Sequence, residues 1–179
     1  MRVAMLVLVA ATGVSAQPMF VDVTERSGLS GGGTAAWADY DADGWVDVAI
    51  GGRLFRNVEG RFEAAEAALP EGTPGGSATW GDCDNDGDLD LFIFGGRFAL
   101  LLNDGDGTFS DGCAGLPEVP VVQSLGAAWV DLSADGLLDL YVGGYETWEE
   151  AVYPDAVLVN EGDGQFREAW RSSEEGTRS

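Results

Sequence analysis

Short apolar runs punctuate this chain at Val46–Ile50, Leu89–Phe94 and Leu138–Val142. Each follows a stretch in which Asp alternates with other residues, and each leads into a glycine pair: Gly51-Gly52, Gly95-Gly96 and Gly143-Gly144. Apolar runs of this length, bounded by Asp and Gly, read as strands rather than helices. A strand is expected before each acidic stretch as well, at Ala35–Tyr40, Ala78–Asp82 and Ala127–Asp131. A third follows the glycine pair at Leu54–Asn57, Ala99–Asn103 and Val157–Asn160, and a fourth opens on an aromatic at Phe62, Phe109 and Phe166. Hairpin-type turns join the last two: Val58-Glu59-Gly60, Asp104 to Gly107 and Glu161 to Gly164. The stretch Glu63–Leu69 has helical propensity, but its alignment with the other fourth strands allows at most a short helical turn at its end.

The pattern repeats. Trp37 to Trp80 is 43 residues and Trp80 to Trp129 is 49, a period that suits a four-stranded propeller blade of about 40–50 residues. The predicted fold is therefore all-β, a β-propeller-like array of three four-stranded blades at about residues 30–69, 70–116 and 117–170. A lone leading strand, Phe20–Thr24, matches the fourth strand of a preceding blade. Propellers usually have about four to eight blades, so three make an incomplete or open one. Either the chain is a piece of a longer propeller, or it is an open array, or copies associate through open blade edges. Trp37, Trp80 and Trp129 recur in register and are read as blade-core residues.

Between the first two strands of every repeat lies a nine-residue loop with oxygen-bearing side chains at positions 1, 3, 5 and 9 and Gly at position 6. These are Asp39, Asp41, Asp43 and Asp47 with Gly44; Asp82, Asp84, Asp86 and Asp90 with Gly87; and Asp131, Ser133, Asp135 and Asp139 with Gly136. Hard cations such as Ca²⁺ take six to eight oxygens at about 2.3–2.6 Å, and alternate residues of a tight loop supply them. Position 7 (Trp45, Asp88 or Leu137) would add its backbone carbonyl, leaving its side chain free to vary. Turn chemistry alone explains an Asp-Gly pair, but not the same spacing three times. An EF-hand is excluded, because position 12 is Ile50, Ile93 or Val142 rather than Glu. Two calcium sites are expected; Ser133 leaves the third with one charge fewer.

Composition narrows the function. The 179 residues hold 31 acidic and nine basic side chains, a net charge of −22, with no Lys and no His. That balance speaks against nucleic-acid or anionic-membrane binding. Missing His removes Ser-His-Asp and Cys-His schemes, and missing Lys removes Schiff-base chemistry. Residues 1–16 read as a secretory signal: Arg2, the apolar run Val3–Ala11, then Val14-Ser15-Ala16 as a cleavage site. The run is too short to span a bilayer, so a secreted or extracytoplasmic chain with no membrane insertion is expected. Cys83 and Cys113 are read as unpaired, since strand geometry holds them apart. Residues 171–179 form a polar tail.

These motifs resemble FG-GAP/VCBS repeats, the calcium-binding blades of integrin-α-like β-propellers. The phrase carrying the resemblance is A-W-x-D-x-D-x-D-G-x-x-D-[LV], an apolar strand ending Gly-Gly, then N-x-G-x-F, and it covers Phe20 to about Trp170. It implies an exported, non-enzymatic module for binding or adhesion, with structural calcium held by the loop residues named above. An extracellular protein or glycan is the implied partner. Two other readings stand beside it: a non-catalytic subunit of a larger assembly, and a glycan hydrolase or lyase. The latter needs a carboxylate pair free of metal, for which Glu146, Glu149 and Glu150 are the candidates. These lie in an insertion where Tyr145, Trp148 and Tyr153 either contact a ligand or cover apolar surface. Arg53 and Arg97, at matched positions after the glycine pairs, are read as structural partners of nearby carboxylates rather than ligand contacts.

Overall fold

Short apolar runs in the central strands and alternating positions in the outer ones, over three to seven residues, set the sheets. A computed structural model describes residues 22–117, 124, 126–144 and 154–172. Among them lie three four-stranded antiparallel sheets, each in simple sequence order. The first is β1 (Ala35–Ala38), β2 (Asp47–Ile50), β3 (Arg53–Val58) and β4 (Arg61–Ala64). The second is β5 (Ser77–Gly81), β6 (Asp90–Phe94), β7 (Ala99–Asn103) and β8 (Phe109–Asp111). The third is β9 (Gly126–Val130), β10 (Asp139–Gly143), β11 (Ala156–Gly162) and β12 (Gln165–Arg171). The three are in one register: Trp37, Trp80 and Trp129 pair with Val48, Leu91 and Leu140.

Successive first strands lie beside one another, β1 by β5 and β5 by β9, so the sheets stack face to face as an open, propeller-like row. The core is therefore two layers between blades. Tyr40, Ala49 and Leu54 of the first blade meet Leu91, Ile93, Leu101 and Phe109 of the second. Phe92, Phe94 and Leu100 on the second blade's other face meet Leu140, Val142, Leu158 and Phe166 of the third. Trp80 stacks on Tyr40 at 6.1 Å and donates its indole N–H to the Ala36 carbonyl. Trp129 sits against Gly81, where a Cβ would meet the indole at 2.6 Å, so only glycine fits beneath that ring.

Several expectations change here. The leading strand does not reach Thr24: Thr24–Ser27 is a helical turn, α1, closed by Gly28 at φ 85°. The same turn recurs as single 3₁₀ turns at Glu66–Ala68 and Cys113–Gly115, as the Glu63–Leu69 sequence allows. Trp37 is not a core residue; it is 54% exposed, at the edge of a face on which its row neighbours Val48 and Phe55 are fully buried. Cys83 is free and buried. Residues 1–16, Glu146, Glu149, Glu150, the aromatics Tyr145, Trp148 and Tyr153, and the tail from 173 lie outside the described residues. No helix among the described residues is long and apolar enough to cross a membrane.

Candidate metal centre

The three acidic loops hang between the first and second strands and share one backbone course. Position 6 is left-handed in each, at Gly44 (φ 90°), Gly87 (φ 100°) and Gly136 (φ 91°), a conformation only glycine adopts without cost. Position 4 is left-handed too, at Ala42 (φ 53°), Asn85 (φ 60°) and Ala134 (φ 59°). Alanine there is disfavoured and gave no signal in the sequence. Position 1 holds the turn: Asp39 accepts the amides of Asp43 and Gly44, and Asp131 those of Asp135 and Gly136.

Position 9 has a task that spacing alone did not reveal. Asp47, Asp90 and Asp139 are fully buried. One oxygen of each accepts the position-2 amide, from Tyr40, Cys83 and Leu132. The other accepts the amide of an asparagine on the third strand, Asn57, Asn103 or Asn160. Each asparagine returns a side-chain N–H to the position-8 carbonyl, Val46, Leu89 or Leu138. Burial pushes the Asp47 carboxyl up to about 6, opposed by the Asn57 and Tyr40 amides. Burial likewise raises Asp90.

Positions 1, 3 and 5 form the open part of the site. Asp39, Asp41 and Asp43 form one group whose ligand oxygens lie within 4.8 Å of one another, and Asp82, Asp84 and Asp86 form a second. Two oxygens on one Ca²⁺ lie at most about 5 Å apart, so both clusters match a single ion in size and in donor type. Asp47 and Asp90 lie outside these groups. Position 7 supplies its backbone: the amides of Trp45, Asp88 and Leu137 donate to Asp43, Asp86 and Asp135.

A family model described as an FG-GAP-like repeat matches residues 39–93 and again residues 82–142. The chain belongs to the FG-GAP-like repeat family. Each match begins at position 1 of an acidic loop, so the family's repeat is phased on the feature that the three blades share. Among solved structures, an Agrocybe aegerita lectin resembles the chain at 21% identity, with a TM-score of 0.48. It was studied for specific recognition of non-reducing terminal N-acetylglucosamine, and the alignment covers 79% of this FG-GAP chain but 37% of the lectin. None of the curated proteins compared matches the chain.

The FG-GAP loops differ in how their charge is met. In the first, Arg56 reaches across from β3, its Nε 2.6 Å from Asp41 Oδ2 and its Nη2 2.8 Å from Asp43 Oδ2. The Trp45 amide, and then this guanidinium, hold the Asp43 carboxyl below its usual range. In the second loop the equivalent of Arg56 is Leu102, and no cation faces the cluster among the described ion pairs. There Asp82 Oδ1 is buried with no hydrogen-bond partner. Asp84 is raised, by burial first and then by the charges of Asp90 and Asp86. In the third loop Ser133 replaces a carboxylate and Val159 replaces Arg56.

Two neighbouring features are settled by their bonds. Asp106 accepts the Thr108 amide and hydroxyl, so it serves the β7–β8 turn. Arg53 donates to the carbonyl and hydroxyl of Ser30 and lies 4.9 Å above the Phe55 ring. Arg97, its equivalent, lines an open cleft with Glu71, Phe98 and Asp111.

Proposed function

We propose that this chain is an exported, calcium-stabilised module that binds a protein or glycan, in which the metal is structural. The observation carrying the calcium reading is the second loop: a buried, unpartnered Asp82 oxygen beside Asp84 and Asp86. A buried carboxylate oxygen without a donor costs free energy that a cation would repay with interest over a hydrogen bond. Asp82, Asp84 and Asp86 would hold the ion there, with the Asp88 carbonyl and Asp90 completing the set. Asp39, Asp41, Asp43, Trp45 and Asp47 would do the same in the first loop, and Asp131, Ser133, Asp135, Leu137 and Asp139 in the third. Bound Ca²⁺ supplies charge neutralisation among carboxylates that otherwise repel one another.

The scale is enough to matter. A site with a Kd of about 0.1 mM in about 1 mM Ca²⁺ gains roughly 1.4 kcal/mol. Three would give about 4 kcal/mol, near the low end of domain stability at about 5 kcal/mol. FG-GAP family membership and a sequence without His or Lys support binding rather than catalysis. Export follows from the signal-like residues 1–16, and the aromatic insertion Tyr145–Tyr153 is the proposed ligand contact. The test is thermal unfolding in chelator and in millimolar Ca²⁺, for the parent chain and for Asp82→Ala/Asp86→Ala. Calcium should raise the midpoint by several degrees, and by clearly less in the variant. A cooperative transition at the same midpoint in both buffers would sink the reading.

A further inference from the structure

At each joint between blades, one asparagine on the third strand touches the acidic loops of both. Asn103 donates its backbone amide to Asp90, at position 9 of the second loop, and its side chain to the Tyr40 carbonyl of the first loop at 2.8 Å. Asn160 repeats this one joint further on, bonding Asp139 of the third loop and the Cys83 carbonyl of the second at 2.6 Å. Those carbonyls belong to the peptide groups that lead into Asp41 and Asp84, the position-3 carboxylates. Each asparagine therefore holds one carboxylate of its own loop and the peptide that aims one in the preceding loop.

Neither side chain is free to turn. Asn103 is 3% exposed; its second N–H goes to the Leu89 carbonyl and its oxygen accepts the Gly105 amide. Asn160 is 1% exposed, with its remaining bonds to the Leu138 carbonyl and the Gly162 amide. A side-chain amide with both donors committed passes a shift of its own backbone to the far carbonyl, because letting go leaves a buried acceptor unmet. The chain of bonds is continuous, since the Tyr40 and Cys83 amides donate in turn to Asp47 and Asp90. The second and third loops have one more link, from the Asn85 side chain to the Gly136 carbonyl.

We infer that the acidic loops bind calcium cooperatively: an ion in one loop tightens the next, and Asn103 and Asn160 carry the coupling across the joints. This regulation rests on the calcium reading above. An ion that fixes Asp84 and Asp90 in the second loop fixes Asn103, and with it the peptide ahead of Asp41. The first loop then loses less freedom when its own ion arrives. Arg56 already engages Asp41 and Asp43, so the second loop is the first to fill.

Nuclear magnetic resonance of the whole chain during a calcium titration reads the loops separately, through the amides of Gly44 and Gly87, which donate to Asp39 and Asp82. The comparison is between the parent and Asp82→Ala/Asp86→Ala. That variant's empty second loop keeps Asp84 and Asp90, which carry the same net charge as the four parental aspartates with one Ca²⁺ bound, so the first loop meets equal charge in both chains. The Gly44 midpoint should lie at about fivefold higher calcium, or more, in the variant. When both chains also carry Asn103→Ala, that difference should vanish. In the parent, the Asn103 side-chain amide resonances should shift as the second loop fills and again as the first does, a reading that does not require the Asn103→Ala chain to fold. Equal Gly44 midpoints in parent and variant overturn the inference, as does a difference that survives Asn103→Ala or an Asn103 side chain unmoved by calcium. No response at either glycine overturns the calcium reading and the inference with it, whereas response at both with unlinked midpoints overturns the coupling alone.

Discussion

At one position on the third strand the three blades carry Arg56, Leu102 and Val159, each immediately before the asparagine that clasps the loop. The guanidinium at the first of these touches two carboxylates of the cluster, so the first loop holds a tethered cation that the others, among the described residues, do not. Any Ca²⁺ entering it must displace or share those oxygens, while the second loop offers an oxygen already lacking a partner. The two sites should therefore differ in affinity despite having the same four aspartates. Arg56→Leu, which copies the second blade, is expected to tighten calcium at the first loop roughly two- to five-fold, the scale of one exposed ion pair lost. Calorimetric titration would read it in a chain carrying Asp86→Ala and Asp135→Ala, so that only the first loop responds. Unchanged or weaker binding would mean that Arg56 orders the cluster rather than competes for it.

At the scale of the element, the strand-one tryptophans show that identical residues in register need not have identical bonds. Trp80 donates its N–H to Ala36, whereas the Trp129 N–H is buried without a partner. Trp80→Phe loses a hydrogen bond together with volume; Trp129→Phe loses volume but removes an unsatisfied donor. Urea unfolding should find the first change more destabilising by about 1 kcal/mol, and equal losses or the reverse order would refute the distinction. This contrast marks where the sequence stopped being readable. The four strands, the nine-residue loop and the short turn near Glu66 follow from local alternation, glycine and spacing, and they stand where the pattern put them. Arg56 on Asp41 depends on how the third strand lies beside the loop within one blade, and Asn160 on Cys83, at a separation of 77 residues, on which blades stack; no local pattern encodes either. The left-handed Ala42 and Ala134 gave no signal because alanine does not favour that conformation. Trp37 misled because register gives the face a residue shares, not how far that face is covered at its edge strand: Val48 and Phe55 on the same row are buried while Trp37 is exposed.

For the whole molecule, the consequence of stacking is that the blades are unequal even though they are built alike. In a row whose units touch only their neighbours, stability is close to a sum of unit and joint terms. The second blade alone has two joints among the described residues. The second strands β2, β6 and β10 make a fair comparison, since each is flanked by an antiparallel partner on both edges. They differ in what covers their faces. All five residues of β6 are buried, with Leu91 and Ile93 in one core layer and Phe92 and Phe94 in the other. In β10, Tyr141 and Gly143 are part-exposed on the outward face. Native-state hydrogen exchange in dilute solution should thus find the slowest amides in β6 and its neighbour β7, with β10 opening at lower free energy. Equal protection of all three strands would show that the blades open as one unit, and that the joints, not the coverage of single faces, govern the stability of the array.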